Sequence, residues 1–235
     1  MVRRGARSET TRQAPLEISP PERRVLASLV EKYAAPDQGA RATELLEQYL
    51  DEILHWTRDS NLVARSDLGR LASRHVEESV AVLPVLDNLK GQRLIDVGSG
   101  AGFPAVPIAV LRPSLEVHAV ESRHRKGLFL QRLVHVLELS NLQVHSARAE
   151  SLEFSTNERF DLATARAVAV VSELLPVLAR LVRAGGHAVL FKGSSYEEER
   201  AAWINAGDPR WSGGDVTSVP DRHLHFLTFQ RTSAE

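Results

Sequence analysis

The stretch RLIDVGSGAGFPAVP, residues 93–107, joins a short apolar run to three alternating glycines and then to a second apolar run. Because glycine has no Cβ, the alternation of Gly98, Gly100 and Gly102 lets the main chain pass close to a ligand. In an open parallel sheet the carboxyl end of the first strand borders the ligand crevice, and the helix that follows presents its positive end there. The stretch therefore predicts a ligand-binding loop, with a plain strand-to-helix turn as the alternative.

The spacing of the glycines indicates which ligand the loop holds. A dinucleotide fingerprint, G-x-G-x-x-G/A, requires a small residue where this chain has Phe103. The form DVGSGAG, with Asp96 at its start, is instead typical of Rossmann-like S-adenosylmethionine-dependent methyltransferases. Asp96 can meet the ammonium group of that cofactor, and Glu121, at the end of the next predicted strand, is placed to accept both ribose hydroxyls. We therefore predict S-adenosylmethionine as the cofactor, bound by Asp96, Gly98, Gly100, Gly102 and Glu121.

Short β-prone runs alternate with helix-period segments after residue 91. Alternation of this kind predicts a mostly parallel sheet with helices on both faces. The predicted strands are RLIDV, LEVHAV, LQVHS, FDLATA, HAVLFK and HLHFLTFQ, and the predicted helices cover about 105–111, 124–139, 172–183 and 195–206. In the second of these helices the spacing predicts buried Leu128, Leu130, Leu133, Val134 and Leu137, with Arg132 and Glu138 facing outward.

The first ninety residues have a different pattern. Residues 1–20 are polar and charged, which predicts a disordered tail. Residues 21–90 contain three helix-period segments and predict a helical N-terminal appendage, while residues 91–235 form the predicted methyltransferase domain. The fold class that we expect is therefore α/β, a Rossmann-like class I S-adenosylmethionine-dependent methyltransferase with a mostly parallel sheet and an N-terminal helical appendage.

The composition excludes several kinds of site. The 235 residues carry 29 Lys and Arg against 30 Asp and Glu, a net charge of −1, so nucleic acid would have to bind a local basic patch. The absence of cysteine excludes disulfides, thiolate metal sites and a cysteine nucleophile, and it fits a reducing cytoplasm. No apolar stretch approaches the roughly 20 residues of a membrane span, so we expect no membrane partner. His223 and His225 have no evident carboxylate partner, and we predict no metal site.

The segment IDVGSGAGFPAVPIAVLRP, residues 95–113, with its two prolines Pro104 and Pro107, resembles the loop of the glucose-inhibited division protein B family, the small-subunit ribosomal RNA guanine-N7 methyltransferases. Further matches are WTRDSNL at 56–62, SRHVEES at 73–79, SARAESL at 146–152, TARAV at 164–168 and FKG at 191–193. The resemblance implies methyl transfer to N7 of a guanine in small-subunit (16S) ribosomal RNA. It implies that this RNA, or its assembling particle, is the partner, and we expect a cytoplasmic monomer.

The resemblance also implies site residues at matching positions. Gly98 and Phe103 line the cofactor loop, Ala149 and Glu150 correspond to residues that meet the adenine ring, and Arg166 matches an arginine of the cofactor pocket. One departure concerns the acceptor base. Val168 stands where many members carry phenylalanine, which removes a possible stacking surface.

Methylation of N7 needs no general base, because this nitrogen has an in-plane lone pair and no proton. We therefore assign no catalytic residue and expect catalysis to depend on the placement of N7 in line with the methyl group. Arg166 and Lys192, at predicted strand ends, are the positioning candidates. Arg166 either orients the cofactor or an RNA phosphate, or pairs with Asp161 or Glu150 at the sheet edge. Lys192 either contacts phosphate or is a surface lysine without a role.

A further set of basic residues are the candidates for contact with RNA. They are Arg112, Arg123, Arg125, Lys126 and Arg132, with Arg74 and His75 added on the resemblance alone. A solvated helix face is the alternative for the run RHRK at 123–126.

Two alternative functions stay open. In the first, the protein methylates another acceptor, either a small molecule or a protein. In the second, it is a non-catalytic ribosome-assembly factor that has kept the methyltransferase fold. The intact glycines and both acids disfavour the second alternative, and Phe103 disfavours a dehydrogenase.

Overall fold

The computed structural model describes residues 17–58 and 60–233, which form eight α-helices and a seven-stranded sheet. The helices are α1 (Pro20–Tyr33), α2 (Gly39–Thr57), α3 (Glu77–Val80), α4 (Leu83–Leu89), α5 (Ala105–Leu111), α6 (His124–Val136), α7 (Val171–Leu181) and α8 (Tyr196–Ala206). The strands are β1 (Arg93–Val97), β2 (Glu116–Val120), β3 (Leu142–His145), β4 (Phe160–Arg166), β5 (Val182–Lys192), β6 (Trp211–Ser218) and β7 (His225–Arg231). Within the described ranges, no helix is long and apolar enough to cross a bilayer.

The sheet has the strand order β3-β2-β1-β4-β5-β7-β6. Strands β1 to β5 are parallel, and β7 is antiparallel to both of its neighbours. The strand order reverses between β1 and β4, and in open α/β sheets a ligand crevice forms at the carboxyl ends of the strands on either side of such a reversal. The predicted α/β fold with a mostly parallel sheet is confirmed.

Successive residues along the strands enter two separate cores on the two faces of the sheet. In β1, Leu94 belongs to the first core and Ile95 to the second. The first core joins the sheet to α1, α2, α5 and α6, and the second joins it to α7 and α8. Helices therefore cover both faces, as the alternating pattern predicts.

The N-terminal helices share the first core with the α/β part of the chain. Ile53 of α2 lies in the same buried cluster as Val106 of α5 and Phe129 of α6. Ile18 also belongs to this cluster, and its N–H donates to Asp51 Oδ1 at 2.9 Å, so the fold begins before the predicted end of the tail at residue 20. Residues 1–16 of the predicted tail lie outside the described residues. The division into appendage and methyltransferase domain stays a prediction.

On the buried face of α6, Phe129 takes the place that is predicted from the sequence for its neighbour Leu128. The buried residues are Phe129, Leu130, Leu133 and Leu137. Leu128 is 44 % exposed and Val134 is only partly buried, so the prediction for these two was wrong. Consecutive helix residues point about 100° apart, and Phe129 rather than Leu128 completes the stripe that faces the core. Arg132 and Glu138 are exposed, as predicted.

Other parts of the chain are less regular than predicted. The third predicted N-terminal helix is broken into a 3-10 turn, Arg65–Arg70, a π-helical turn, Leu71–Val76, and the short helices α3 and α4. From the sequence, no strand is predicted at β6, which lies at the edge of the sheet and is hydrogen-bonded to β7. Strand β7 begins at His225, so His223 does not share a strand face with it.

Candidate functional site

The glycine loop follows β1 and is tied to the end of β2. The N–H groups of Gly98 and Ser99 both donate to Val120 O, at 2.9 and 3.0 Å. All three glycines have positive φ, +77° at Gly98, +60° at Gly100 and +103° at Gly102. Because residues with a Cβ rarely adopt this conformation, the loop requires glycine at each of these positions.

A Cβ added to each glycine would meet different surroundings. At Gly98 it would lie 2.5 Å from Val168 Cγ2. At Gly102 it would lie 2.7 Å from Val106 Cγ2, so both of these positions are closely packed. At Gly100 it would meet no atom nearer than 3.8 Å. Gly100 is therefore the least closely packed of the three, with Gly98 O and Lys126 Nζ at 3.8 Å from the added Cβ, and the loop forms a cradle that a side chain at this position would fill.

Glu121 borders this cradle at the end of β2. Its buried carboxylate accepts the Gly100 N–H through Oε2 at 2.9 Å and the Arg123 N–H through Oε1 at 2.7 Å. Each carboxylate oxygen has a further lone pair available for a second donor. The carboxylate is thus fixed beside the loop and is able to accept two neighbouring hydroxyls of a bound ligand.

Asp96, the last-but-one residue of β1, is fully buried. Its Oδ1 accepts the Thr164 hydroxyl at 2.8 Å, whereas its Oδ2 has no hydrogen-bond partner. Burial raises the pKa of Asp96 to about 6, against the opposing hydrogen bond from Thr164 and the charge of Arg166, while the Ser99 hydroxyl donates to the main-chain O of Asp96 at 3.1 Å. An unpartnered buried carboxylate oxygen is unfavourable unless a donor or a cation binds it. The free Oδ2 and the open cradle fit a ligand that carries a cationic group and hydroxyls, as S-adenosylmethionine does.

Phe103 is enclosed by side chains from the N-terminal helices. The Tyr49 ring lies 5.3 Å from it between centroids, and the His75 ring stacks on it at 5.0 Å with an interplanar angle of 25°. The Arg166 guanidinium lies 5.7 Å from the Phe103 centroid. The Tyr49 hydroxyl also donates to Ala101 O at 2.9 Å. Helix α2 and the π-helical turn therefore help to hold the glycine loop in place.

Arg166, at the end of β4, is held by His75 of the π-helical turn and by Glu78 and Ser79 of α3. Its Nη2 donates to His75 Nδ1 at 2.6 Å and pairs with Glu78 Oε2 at 3.1 Å. Its Nη1 donates to His75 O at 3.2 Å and to Ser79 Oγ at 3.3 Å. Both terminal nitrogens are thus engaged within the protein.

Neither Asp161 nor Glu150 pairs with Arg166, so this predicted alternative is wrong. Asp161 is the second residue of the same strand, five residues earlier and about 16 Å away at 3.3 Å per residue, and its Oδ1 accepts from Arg183 Nε at 2.6 Å. Glu150 accepts through its main-chain O from Arg180 Nη1 at 2.8 Å.

His75 links Arg166 to Asp67. Its Nε2 lies 3.3 Å from Asp67 Oδ2. Burial, together with the nearby charge of Arg166, lowers the pKa of His75 to about 4. A neutral imidazole that donates from Nε2 to Asp67 and accepts at Nδ1 from Arg166 satisfies both contacts.

Lys192, at the end of β5, is buried and ion-paired, so the alternative of a surface lysine is wrong. Its Nζ donates to Ala169 O at 2.7 Å and pairs with Glu199 Oε2 at 2.7 Å. The ammonium charge is therefore compensated within the fold, and Lys192 holds the segment that follows β4.

Ala149 and Glu150 lie in a 3-10 turn, Ala149–Ser151, after β3. Ala149 is buried in the same core as Val120, the last residue of β2, and Glu150 is exposed. The Glu121 N–H donates to His145 O at 3.0 Å, so the end of β3, which leads into this turn, lies beside Glu121.

Three of the basic candidates lie at the start of α6, near the loop. Arg123 and Arg125 are exposed. Lys126 is partly buried, with its Nζ 3.8 Å from the position of a Cβ on Gly100. Burial lowers the pKa of Lys126, against the opposing charge of Glu121. Lys126 thus lies at the cradle rather than on an outer basic face.

Two other basic candidates lie elsewhere and are paired. Arg112 precedes β2 at the amino ends of the strands, where it pairs with Asp87 at 2.7 Å beside a cavity of about 630 Å³. Arg132 pairs with Glu52 of α2 at 2.9 Å. Both guanidinium groups are thus paired within the protein, and Arg112 lies at the opposite edge of the sheet from the glycine loop.

A cleft of about 510 Å³ opens at the ends of β4 and β5. Arg74, Glu78 and Arg166 line one side of it, and Lys192 and Glu199 also line it. The side chains of Val168 and Val170 are 44 % and 43 % exposed at this cleft. Because Val168 is packed against Gly98, the cleft adjoins the glycine loop.

From the sequence, no role is predicted for several side chains that contact the predicted site residues, namely Tyr49, Asp67, Glu78, Ser79, Thr164 and Glu199. Helical spacing is a usable signal for Glu78, which follows Arg74 by four residues and His75 by three. Thr164 precedes Arg166 by two residues and so faces the same side of β4. Nothing local to Tyr49 or Asp67 indicates a role, because their partners lie on distant segments.

Comparisons with known proteins show which family the chain belongs to. The family model described as rRNA small subunit methyltransferase G matches residues 42–219. A protein of Alkalilimnicola ehrlichii named Ribosomal RNA small subunit methyltransferase G is 38% identical over 161 residues, which cover 68% of this chain and 71% of that protein. A protein of the same name from Xanthomonas campestris pv. campestris is 34% identical and covers 87% of this chain and 94% of its own length.

Solved structures share the fold at low sequence identity. A SAM dependent methyltransferase from Aquifex aeolicus superposes with a TM-score of 0.57 at 16% identity, over 72% of this chain and 100% of that one. A ribosomal protein L11 methylase from Lactobacillus delbrueckii subsp. bulgaricus gives a TM-score of 0.51 at 12% identity, over 68% of this chain and 79% of that one. The chain therefore belongs to the rRNA small subunit methyltransferase G family, a family of S-adenosylmethionine-dependent methyltransferases with the Rossmann-like class I fold.

Proposed function

We propose that this protein transfers a methyl group from S-adenosylmethionine to N7 of a guanine in small-subunit (16S) ribosomal RNA. The observation that carries the proposal is the open glycine cradle between two buried acids, with Asp96 Oδ2 unpartnered and Glu121 fixed against the Gly100 N–H. The name of the relatives supplies the class of acceptor. The choice of N7 follows from the family resemblance in the sequence.

The cofactor roles are distributed over the ends of β1, β2 and β3. Asp96 meets the ammonium group, Glu121 accepts the ribose hydroxyls, and Ala149 with Glu150 flanks the adenine ring. The main chain of Gly98, Gly100 and Gly102 forms the floor, and Phe103 closes the loop against the N-terminal helices. When bound, the cofactor supplies a sulfonium methyl that the N7 lone pair takes, so that sulfur keeps the electron pair of the broken bond and the purine gains a positive charge.

No residue of the chain has to move a proton, because N7 carries none. Arg166 and Lys192 act as positioning residues that hold the two sides of the segment between β4 and α7. This segment carries Val168 and Val170 into the cleft, so its position determines where a base can lie.

The RNA approaches across the carboxyl ends of the strands. Arg123 and Arg125 at the start of α6 and Arg74 at the cleft supply positive charge for its phosphates. Lys126 and His75 act inside the site rather than on this surface. We further propose that the protein works as a monomer in the cytoplasm, on the RNA or its assembling particle, without a membrane partner.

The experiment that tests the function supplies methyl-labelled S-adenosylmethionine together with ribosomal RNA, or small subunits, from a strain that lacks the enzyme. We expect one labelled nucleoside, N7-methylguanosine, at a single position of the small-subunit RNA. Large-subunit RNA and small-subunit RNA from the parent strain, which is already methylated, are the controls.

Two results would overturn the proposal in different ways. Label in a protein or a small molecule, with none in the RNA, would assign another acceptor. Calorimetric binding of the ribosomal particle without cofactor binding would indicate a non-catalytic assembly factor.

A further inference from the structure

The cleft beside the glycine loop contains two carboxylates among its described lining residues, and they differ in how fully they are engaged. Glu199 is occupied through both oxygens. Its Oε2 pairs with Lys192 at 2.7 Å and accepts the Val171 N–H at 3.1 Å, and its Oε1 accepts the Ser195 hydroxyl at 3.0 Å. Glu199 therefore has little capacity left for a ligand.

Glu78 has such capacity. Its Oε2 pairs with Arg166 Nη2 at 3.1 Å, but its Oε1 lies 3.8 Å from Arg74 Nε, beyond hydrogen-bond distance. The Glu78 side chain is 22 % exposed and lines the cleft. One carboxylate edge, anchored by Arg166, is thus open to donors in the cleft.

The floor of the cleft suits a flat ring. Val168 and Val170 expose apolar side chains there, and Phe191 and Leu224 also line it. A base that leaves its stack needs an apolar surface for its faces and polar partners for its edge. The cleft offers both, with Glu78 as a partly free acceptor at its wall.

The chemistry of guanine matches an acceptor of this kind. Its N1–H and its 2-amino group are adjacent donors that one carboxylate accepts together, whereas adenine presents an acceptor at N1 and is repelled. These donors lie on the opposite edge from N7, which stays open for methylation. Because the purine gains positive charge during the reaction, its N1–H becomes a stronger donor, and the contact strengthens in the transition state.

We propose that Glu78 reads the Watson–Crick edge of the acceptor guanine and thereby selects this base for methylation. The inference rests on the proposed function and names the residue that determines the specificity of the same site. Arg166 is the positioning residue that orients the Glu78 carboxylate.

The test couples a change in the enzyme to a change in the base. Small-subunit RNA is assembled by ligation with either guanosine or inosine at the mapped position, since inosine keeps N7 and N1–H but lacks the 2-amino group. Wild type should lose roughly tenfold or more in kcat/KM on inosine RNA, as expected for a lost hydrogen bond to a charged group. Glu78→Gln should lose roughly tenfold or more on guanosine RNA, mostly in kcat, and its penalty for inosine should shrink to about twofold or less.

Glu77→Gln is the matched control, because Glu77 pairs with Arg222 and is not part of the cleft lining. It should keep the wild-type rate and the wild-type inosine penalty. Glu78→Asp keeps the charge beside Arg166 and should retain part of the inosine penalty, which separates base recognition from loss of the ion pair. Calorimetry should give the same affinity for S-adenosylmethionine in all of these proteins.

The outcomes separate this inference from the function on which it rests. A full inosine penalty in Glu78→Gln, or none in wild type, overturns the role of Glu78 while N7 methylation stands. If Glu78→Gln does not fold, the inosine penalties of Glu78→Asp and wild type decide the question. A full penalty in Glu78→Asp, or none in wild type, then overturns the role of Glu78. Failure of wild type to form N7-methylguanosine overturns the proposed function and the role of Glu78 together.

Discussion

Gly98 has a φ of +77° and no room for a side chain, since an added Cβ would lie 2.5 Å from Val168. Gly98→Asp therefore places a carboxylate, with a strained main chain, between the glycine loop and the segment that follows β4. We expect its affinity for S-adenosylmethionine, measured by calorimetry, to fall below detection. The circular dichroism spectrum should keep the helix and strand signals of the wild type.

Gly207→Asp is the matched control for this variant. Gly207 also has a positive φ, +65°, but an added Cβ there meets nothing within 4 Å at the end of α8. The control thus carries the main-chain strain of roughly 1 kcal/mol far from the loop. It should bind the cofactor like wild type, whereas normal affinity in a folded Gly98→Asp protein contradicts the assignment of the loop.

Asp96 is a buried acid whose contribution to stability depends on pH. Burial raises its pKa to about 6 in the folded protein, from an ordinary value of 3.8. The folded state therefore holds this proton more tightly than the unfolded state, and the contribution of Asp96 to the free energy of unfolding falls as the pH rises from about 4 to about 6. Asp96→Asn should match wild type below this window and be more stable above it, by up to about 3 kcal/mol. Urea denaturation between pH 4 and pH 8 measures the difference.

The same variant should lose affinity for the cofactor by roughly tenfold or more, because an amide has no charge for the ammonium group. A gain in stability together with a loss of binding is the pattern expected of an acid retained for its ligand. Unchanged affinity at pH 7.5, or identical unfolding curves across the pH range, would refute this role of Asp96.

At the scale of elements, helix α2 supports a loop more than fifty residues away along the chain. The Tyr49 hydroxyl donates to Ala101 O at 2.9 Å, and both atoms are buried. Tyr49→Phe should lower the free energy of unfolding by about 1–3 kcal/mol, because it leaves a buried carbonyl without its donor. It should also weaken cofactor binding several-fold, since the loop must then be ordered without this hydrogen bond. Urea denaturation and calorimetry measure the two effects.

Tyr33→Phe removes the same atom at the end of α1, where Tyr33 is partly buried and lies beside Lys32. Cofactor affinity should be unchanged in this control. Equal affinities in the Tyr49→Phe and Tyr33→Phe proteins would show that α2 does not support the loop.

Helices and strands whose own residues show a clear hydrophobic or glycine pattern could be predicted from the sequence. Those that lack such a pattern could not. Strand β1 and helix α5 flank a glycine loop whose spacing is diagnostic. Strand β6, Trp211–Ser218, contains two glycines with positive φ and mostly polar residues, so its pattern does not indicate a strand. Pairing with β7 and burial of the Trp211 ring, whose Nε1 donates to Leu175 O at 3.0 Å, stabilise it instead.

At the scale of the whole molecule, the N-terminal helices and the α/β part share one core. Every residue of α5 is buried, and α2 and α3 both pack on this helix. A chain of residues 91–235 alone would expose this apolar helix to water. We expect it to aggregate or to show no cooperative urea transition, whereas the complete chain unfolds cooperatively.

Co-expression of residues 1–90 and 91–235 as separate chains is the control. It should restore a cooperative transition and measurable cofactor binding, because the two parts supply each other's core. A stable 91–235 fragment that binds S-adenosylmethionine with wild-type affinity would instead support an independent methyltransferase domain.

The sequence by itself determined the α/β class, the glycine loop and its two acids, because these depend on local spacing and on the direction of parallel strands. Only the tertiary structure decided that Arg166 pairs with Glu78 and His75, that Lys192 is buried, and that Tyr49 supports the loop. The contacts of Arg166 and Tyr49 join segments that are 91 and 52 residues apart, and Lys192 is held by Ala169, 23 residues earlier, and by Glu199 of α8. Their partners are selected by how the helices pack on the sheet, and no local pattern encodes that choice.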